Sequence, residues 1–514
     1  MALSHLARSP LFACAIALSA CPGESPPPDA FPKDFKWGTA IAGFQVDMGC
    51  PTLPPEQCED RNSDWYAWVS TPALQEDANT HLSGQPVSIG PGHWELYEED
   101  YARAKAELSN NALRLSIEWS RIFPTSTVGI EGHEALKQVA NASAIEHYHL
   151  QFAELRKQGL TPLVTLNHYT LPAWIHDAVG CHQDLAACER KGWVDREGTV
   201  REIAKYAGFV AKEFGAEVDL WGTLNEPMAI VLPGYIFPSE DRTNPPGRMF
   251  EFAAAKTVMQ ALIEAHARMY DAVHANDGGD ADGNGKAAEV GIVYAMVPVR
   301  PKDAENKVDQ IAARNVFYLW NSAFLNAVVR GDFDANLDRK TVNREDLAKR
   351  MDWLGINYYT RVTVQGTETA SFPELSPLTN FNPLDVSPWE NYPRGLYEMA
   401  IEAKSYGLPI YVTENGTWEV PSEGGGLDYL VPHVTWLQRA IRDGADVRGY
   451  FWWTLVDNYE WNHGMSMRFG MFAVDETQST KPRTPRPIAA VYKQIAEANR
   501  VPDELQQAHP VPEQ

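Results

Sequence analysis

The chain has 514 residues, with 44 Lys+Arg against 68 Asp+Glu, a formal net charge of −24, 44% hydrophobic and 22% charged residues. That profile is globular rather than disordered, collagenous or coiled-coil, and an acidic balance with no basic stripe argues against a nucleic-acid partner. No apolar run reaches the roughly 20 residues of a membrane-spanning helix, and the length fits one large α/β barrel or two to three ordinary domains.

In chain order, residues 1–20 (MALSHLARSPLFACAIALSA) put Arg8 ahead of an apolar run and contain no acid, the layout of a secretory signal. The run ends Leu18-Ser19-Ala20-Cys21, which resembles a bacterial lipobox. Cleavage before Cys21 and lipidation of that residue follow as expectations, against the plainer reading of a signal peptide with a chance cysteine. Residues 21–30 are Pro-rich and polar, as a tether should be. The expected location is therefore outside the cytoplasm, periplasmic or at the cell surface, with membrane contact only through the lipid. Of the six cysteines, Cys14 lies in the signal, and four remain in two close pairs, Cys50 with Cys58 and Cys181 with Cys188. In an exported chain these predict two local disulfides, since short loops cost least closure entropy, and CxxC metal spacing is absent.

Eight β-like runs recur, each followed by helix-like sequence: 35–40, 112–119, 160–167, 218–224, 290–297, 353–358, 408–413 and 447–455. Most are apolar on both faces, as buried parallel strands are. Amphipathic patterns at 97–108, 144–158, 199–214, 250–274, 308–329, 395–406, 429–443 and 487–498 separate or close them; the first aligns Tyr97, Tyr101, Ala104 and Leu108 on one stripe. Eightfold strand–helix repetition predicts a single α/β domain, a (β/α)₈ TIM barrel over residues 31–500. The inserts 231–248 and 361–393 are expected as loops on the substrate face, and 501–514 as a frayed tail.

Unusually polar residues close two of the runs. The fourth enters Asn225-Glu226-Pro227 and the seventh Glu414-Asn415-Gly416. A barrel gathers all strand C-termini at one mouth, so Glu226 and Glu414 are expected to face each other, and two facing carboxylates are the minimum equipment for glycoside hydrolysis. Taken singly, either Glu reads as a loop cap or the partner of a nearby Arg.

The motifs TLNEP, VTENG and WWTLVDNYEW, with RLSIEWSRIFP (114–124), WLGINYYTR (353–361) and RFGMFAVD (468–475), resemble the signatures of family 1 glycoside hydrolases from about residue 31 to 495. AGFQVDMG (42–49), NSDWYAWVSTP (62–72) and HVTWLQRAIRDGADVRGY (433–450) resemble the archaeal β-glycosidase branch. The resemblance implies a retaining β-glycosidase acting on terminal β-D-glucosyl residues of oligosaccharides or aryl and alkyl glycosides, with β-galactosidase or β-fucosidase side activity. It implies Glu226 as acid/base, Glu414 as nucleophile, Arg114 and Tyr359 as partners of Glu414, and Asn225 at the sugar 2-hydroxyl. The sugar-binding set it implies is Gln45, His168, Asn225, Trp453, Glu460, Trp461 and Phe469. Read alone, Trp453 is as readily a core residue, and His168 a satisfied buried histidine.

Glu460 also discriminates, because relatives that act on 6-phosphorylated sugars lack this carboxylate; a neutral glycoside is expected here. Two positions depart from the family pattern. Gln45 is followed by Asp47 where a Glu is usual, and the usual His-Trp pair is His168-Tyr169. No cofactor or metal is expected, because no HExxH, nucleotide loop or Asp cluster stands out. Two further readings share these residues: a silent carbohydrate-binding lipoprotein, which loss of either Glu would mark, and an enzyme whose main output is transglycosylation.

Overall fold

Eight apolar stretches form eight parallel strands: β1 (Lys36–Ala40), β2 (Ala112–Ser116), β3 (Thr161–Asn167), β4 (Leu220–Asn225), β5 (Glu289–Ala295), β6 (Trp353–Tyr358), β7 (Ile410–Asn415) and β8 (Val447–Trp453). Each pairs with its neighbours in sequence, and β1 closes on β8 from Lys36↔Gly449 to Ala40↔Trp453, so the sheet has no edge. This is the expected (β/α)₈ barrel, with strand boundaries within two residues of the predicted ones at most ends; β2 stops earlier, because Trp119–Ile122 turn into a helical turn. The computed structural model of the chain describes residues 30–386, 389–418, 420 and 424–512. The expected signal and Cys21 lie outside the described residues.

Two apolar populations hold the barrel. Inside it, Leu163, Leu220, Val293, Trp353, Tyr411 and Phe451 pack with Trp453 and Phe469. Trp353 lies so close to β5 that a Cβ at Gly291 would come within 2.3 Å of its ring, which is why glycine occupies that position. Outside it, the strands bury their other faces under helices. Helix His93–Leu108 turns Tyr97, Tyr101, Ala104 and Leu108 inward, the stripe its sequence predicts. Asn141 caps helix Ala142–Gln158 by accepting from the Ala144 amide, and Asp195 caps Arg196–Phe214 through Gly198.

Three expectations change. The pattern at 308–329 is not one regular helix; Lys307–Phe317 and Ala323–Arg330 are joined by a π-helical turn, Tyr318–Ser322. The insert 361–393 is partly ordered sheet, with Val362–Gly366 between Val299–Pro301 and Phe381–Val386. Of the expected tail, the described residues 501–512 do not simply fray: Val501 is buried, Asp503–Ala508 is helical, and His509 Nδ1 lies 2.7 Å from Asp428. The two disulfides form as expected, with Cα–Cα distances of 6.0 Å for Cys50–Cys58 and 5.0 Å for Cys181–Cys188.

Candidate active site

Seven of the eight barrel strands deliver site residues to one end. Gln45 sits on a single helical turn, Gly43–Val46, just after β1. Arg114 is on β2, His168 and Tyr169 follow β3, and Asn225 and Glu226 close β4. Asn357 and Tyr359 come from the end of β6, Glu414 from β7, and Trp453, Glu460, Trp461 and Phe469 from β8 and the loop beyond it. Residues hundreds of positions apart thereby share one cavity wall. Glu226 (φ +44°), Tyr169 (φ +71°) and Trp461 (φ +47°) have left-handed backbones. Such strain persists only where surroundings impose it, and it concentrates at functional sites.

The two carboxyl groups have different partners. Glu414 Oε1 accepts from Arg114 Nη1 at 2.5 Å, and Oε2 accepts from the Tyr359 hydroxyl at 2.6 Å. Glu226 makes no ion pair among the described residues; its Oε1 accepts from Asn357 Nδ2 at 2.8 Å, and its Oε2 from the Tyr169 hydroxyl. Arg114 is itself fixed by Thr165 Oγ1 (3.1 Å), the Thr413 carbonyl (3.2 Å) and Asn225 Oδ1 (2.8 Å). Burial pushes the Glu414 carboxyl up to about 7; Arg114 pulls it down and the facing Glu226 adds to the rise. Two carboxyl groups this close resist both being charged, which is why the charge of Glu226 adds to the rise at Glu414.

The expected sugar-binding residues also converge. Gln45 Nε2 donates to Glu460 Oε2 at 2.8 Å, while its buried Oε1 has no partner in the protein. Asn458 Nδ2 supports the same Glu460 oxygen at 2.7 Å. The His168 ring lies nearly parallel to Trp453 (centroids 5.8 Å, 18°) and to Trp461 (5.9 Å, 13°). Burial, reinforced by Arg114, pushes His168 well below the usual imidazole range, so it is neutral. Phe469 meets Tyr359 edge-on at 6.3 Å.

Sequence reasoning missed three residues here. Asn357 orients Glu226, and its signal was a lone amide inside a buried strand end. Tyr169 was noted only as a departure, yet its hydroxyl reaches Glu226. Arg242, in the 231–248 insert, lies 5.0 Å over the rings of Tyr169 and Trp461 and 3.5 Å from Glu460 Oε1; nothing in that loop's sequence marks it. Asp47, the other departure from the family pattern, pairs with Arg121 (3.3 Å).

One acidic trio does form among the described residues, contrary to the sequence reading: Asp219, Asp280 and Asp282 bring carboxylate oxygens within 4.8 Å of one another. Asp219 precedes β4, at the end of the strand away from Glu226, and its oxygens accept from the Ala281 and Asp282 amides. No step of the chemistry below draws on it.

Behind the His168–Tyr169 turn, Glu118 is buried, accepting from Ser116 Oγ (2.9 Å) and Thr170 Oγ1 (2.5 Å). Burial, with Asp60 nearby, raises its carboxyl from 4.5 to about 7. The folded state therefore holds a proton that the unfolded state loses. That contribution to stability is complete below pH 4.5 and is lost as pH rises through about 7. Glu118→Gln is expected to gain stability relative to the parent between pH 5 and pH 8, by up to about 3 kcal/mol, checked by denaturant melts at both values; a constant difference would refute it.

A barrel with opposed carboxyl groups on strands four and seven, one clamped by arginine and one without a cation, is the equipment of a glycoside hydrolase. That class narrows to a family: the pattern described as "Glycosyl hydrolase family 1" matches residues 28–501, and the chain belongs to this family. It is 35% identical to a "Beta-galactosidase" of Pyrococcus woesei, covering 93% of this chain and 99% of that protein. It is 28% identical to "Beta-glucosidase A" of Thermotoga maritima over 92% and 99% of the two chains. In three dimensions it is similar to the β-glycosidase of the hyperthermophile Thermosphaera aggregans, with TM-score 0.80, 31% identity, and 94% and 100% coverage.

Proposed function

We propose that this family 1 glycosidase removes terminal β-D-glucosyl residues from neutral glycosides, with β-galactosyl and β-fucosyl units as secondary substrates. Relatives named for both glucoside and galactoside cleavage support this breadth, as does Glu460, whose carboxylate is suited to sugar hydroxyls and repels a 6-phosphate. Gln45 and Glu460 bind the hydroxyls at one end of the ring, and the unpartnered Gln45 Oε1 is an acceptor for one of them. Trp453 forms the floor, and His168, Trp461 and Phe469 the wall. Asn225, tethered to Arg114, takes the 2-hydroxyl, whose hydrogen bond strengthens as positive charge develops on the ring.

The observation that carries the mechanism is the asymmetry of the two carboxyl groups. Arg114 favours the charged form of Glu414, which suits it as the nucleophile, and leaves Glu226, with no cation beside it, as the proton donor. Glu414 attacks the anomeric carbon while Glu226 delivers its proton to the departing oxygen, leaving a glycosyl ester on Glu414. Glu226, now ionised, takes a proton from the incoming water, and the sugar leaves with its original β configuration. The deciding experiment is kcat/KM on aryl β-glucoside, galactoside, fucoside, mannoside and xyloside. The glucoside is expected within about tenfold of the best substrate, a difference of about 1.4 kcal/mol. Mannoside or xyloside ahead by more than that overturns the assignment.

The lipobox-like run supports export with a lipid on Cys21. Cys21→Ser is expected to release soluble enzyme at unchanged specific activity, because Cys21 precedes the first barrel strand in the chain and no site residue comes before Gln45. Parent protein that is already soluble and begins at another residue would refute the anchor.

A further inference from the structure

We infer that Tyr169 is a positioning residue for proton transfer, its hydroxyl holding Oε2 of Glu226 as that oxygen gives up its proton. The inference rests on Glu226 being the acid/base. Tyr169 follows β3 directly, with the left-handed backbone noted above. Its buried ring is held on three sides: by His168 edge-on at 5.0 Å, by Trp461 at 4.9 Å and by the Arg242 guanidinium over its face at 5.0 Å. That packing leaves the hydroxyl one direction, toward Glu226 Oε2. A ring needed only to fill the wall would require neither the hydroxyl nor that backbone.

The other oxygen of Glu226 fixes what the hydroxyl can do. Thr413 Oγ1 donates to Asn357 Oδ1 at 2.8 Å, which sets the amide so that its NH₂ faces Asn225 Oδ1 (3.2 Å) and Glu226 Oε1 (2.8 Å). An amide NH₂ cannot accept, so a proton on Glu226 sits on Oε2. When that proton moves to the glycosidic oxygen, negative charge appears on the oxygen Tyr169 touches. A donor aimed at the charged form favours it. Burial and the charge of Glu226 keep the Tyr169 phenol well above its usual range, so it remains a donor throughout. The other charged or titratable groups facing this pair are Glu414, Arg114, Tyr359, His168, Arg242 and Glu460; among the described residues, only Tyr169 hydrogen-bonds Oε2.

The test is the pH profile of Tyr169→Phe, which keeps the ring and removes only the donor. The alkaline limb of kcat/KM, where the pair loses the proton it must deliver, is expected to move up by about one pH unit. kcat on an alkyl β-glucoside is expected to fall about tenfold, and on a dinitrophenyl glucoside less than about twofold, with KM little changed. Tyrosine fluorinated at position 3, incorporated at 169, is a better donor and should move the same limb downward. An unmoved limb in both proteins, with both substrates slowed alike, overturns the inference and leaves Tyr169 as packing. Azide rescue of Glu226→Ala, described below, tests the acid/base assignment separately, so its failure is distinguishable from failure at Tyr169.

Discussion

Glu414→Gly is expected to abolish turnover, by a factor on the order of 10⁴–10⁶, because no other side chain can form the covalent intermediate. Arg114 and Tyr359 both converge on this carboxylate, and removing it leaves Arg114 without a carboxylate in a buried site where it is 1% exposed. Unpairing a buried charge costs about 3–5 kcal/mol, so the variant is assayed well below its lowered melting transition. Azide supplies both a test of folding and a test of mechanism. It enters the space the carboxylate vacates and attacks the β-glycoside from that face, so the product is the α-glycosyl azide. Proton NMR of that product decides the outcome. A β-azide would withdraw the nucleophile assignment from Glu414.

Glu226→Ala should fail in a different way. Poor leaving groups need the proton and lose about 10³-fold or more, whereas an acidic phenol leaves nearly as before. The glycosyl ester on Glu414 then accumulates, because nothing activates water. A burst of phenol followed by slow turnover is the kinetic signature, and the trapped ester is visible in the intact mass. Azide needs no base, enters from the leaving-group side and yields the β-glycosyl azide. The two azide anomers together assign the carboxyl groups more firmly than any rate, since exchanging the roles exchanges the products. The same roles require the carboxyl groups to lie about 5–5.5 Å apart.

Much of this site was legible in the chain because its residues sit inside strand patterns. Glu226 and Glu414 each end a run that is otherwise apolar, and burying a carboxyl there makes sense only if it faces something. Arg114 was legible only through the resemblance carried by RLSIEWSRIFP, which implied it as a partner of Glu414; read alone it is as readily a structural ion pair. The cysteine pairs were legible from loop length. Arg242 was not, because a long insert carries no periodicity, and its place over Tyr169 and Trp461 depends on how the loop folds back. Nor was the role of Tyr169, which depends on a left-handed turn that nothing in Asn-His-Tyr-Thr announces.

The sequence alone thus determined the barrel, the strand ends that carry chemistry, the two carboxyl groups and the local disulfides. Each of these follows from periodicity or spacing, which short-range geometry turns into structure. Only the tertiary structure decided that burial raises the Glu414 carboxyl despite Arg114, that Arg242 folds over Tyr169 and Trp461, and that Asn357 and Tyr169 divide the two oxygens of Glu226 between them. The physical reason is that hydrogen-bond direction and desolvation are set by atoms brought together from different strands. A pattern along one chain records which groups are present, while their charges and donors are fixed by what the fold places within about 3 Å.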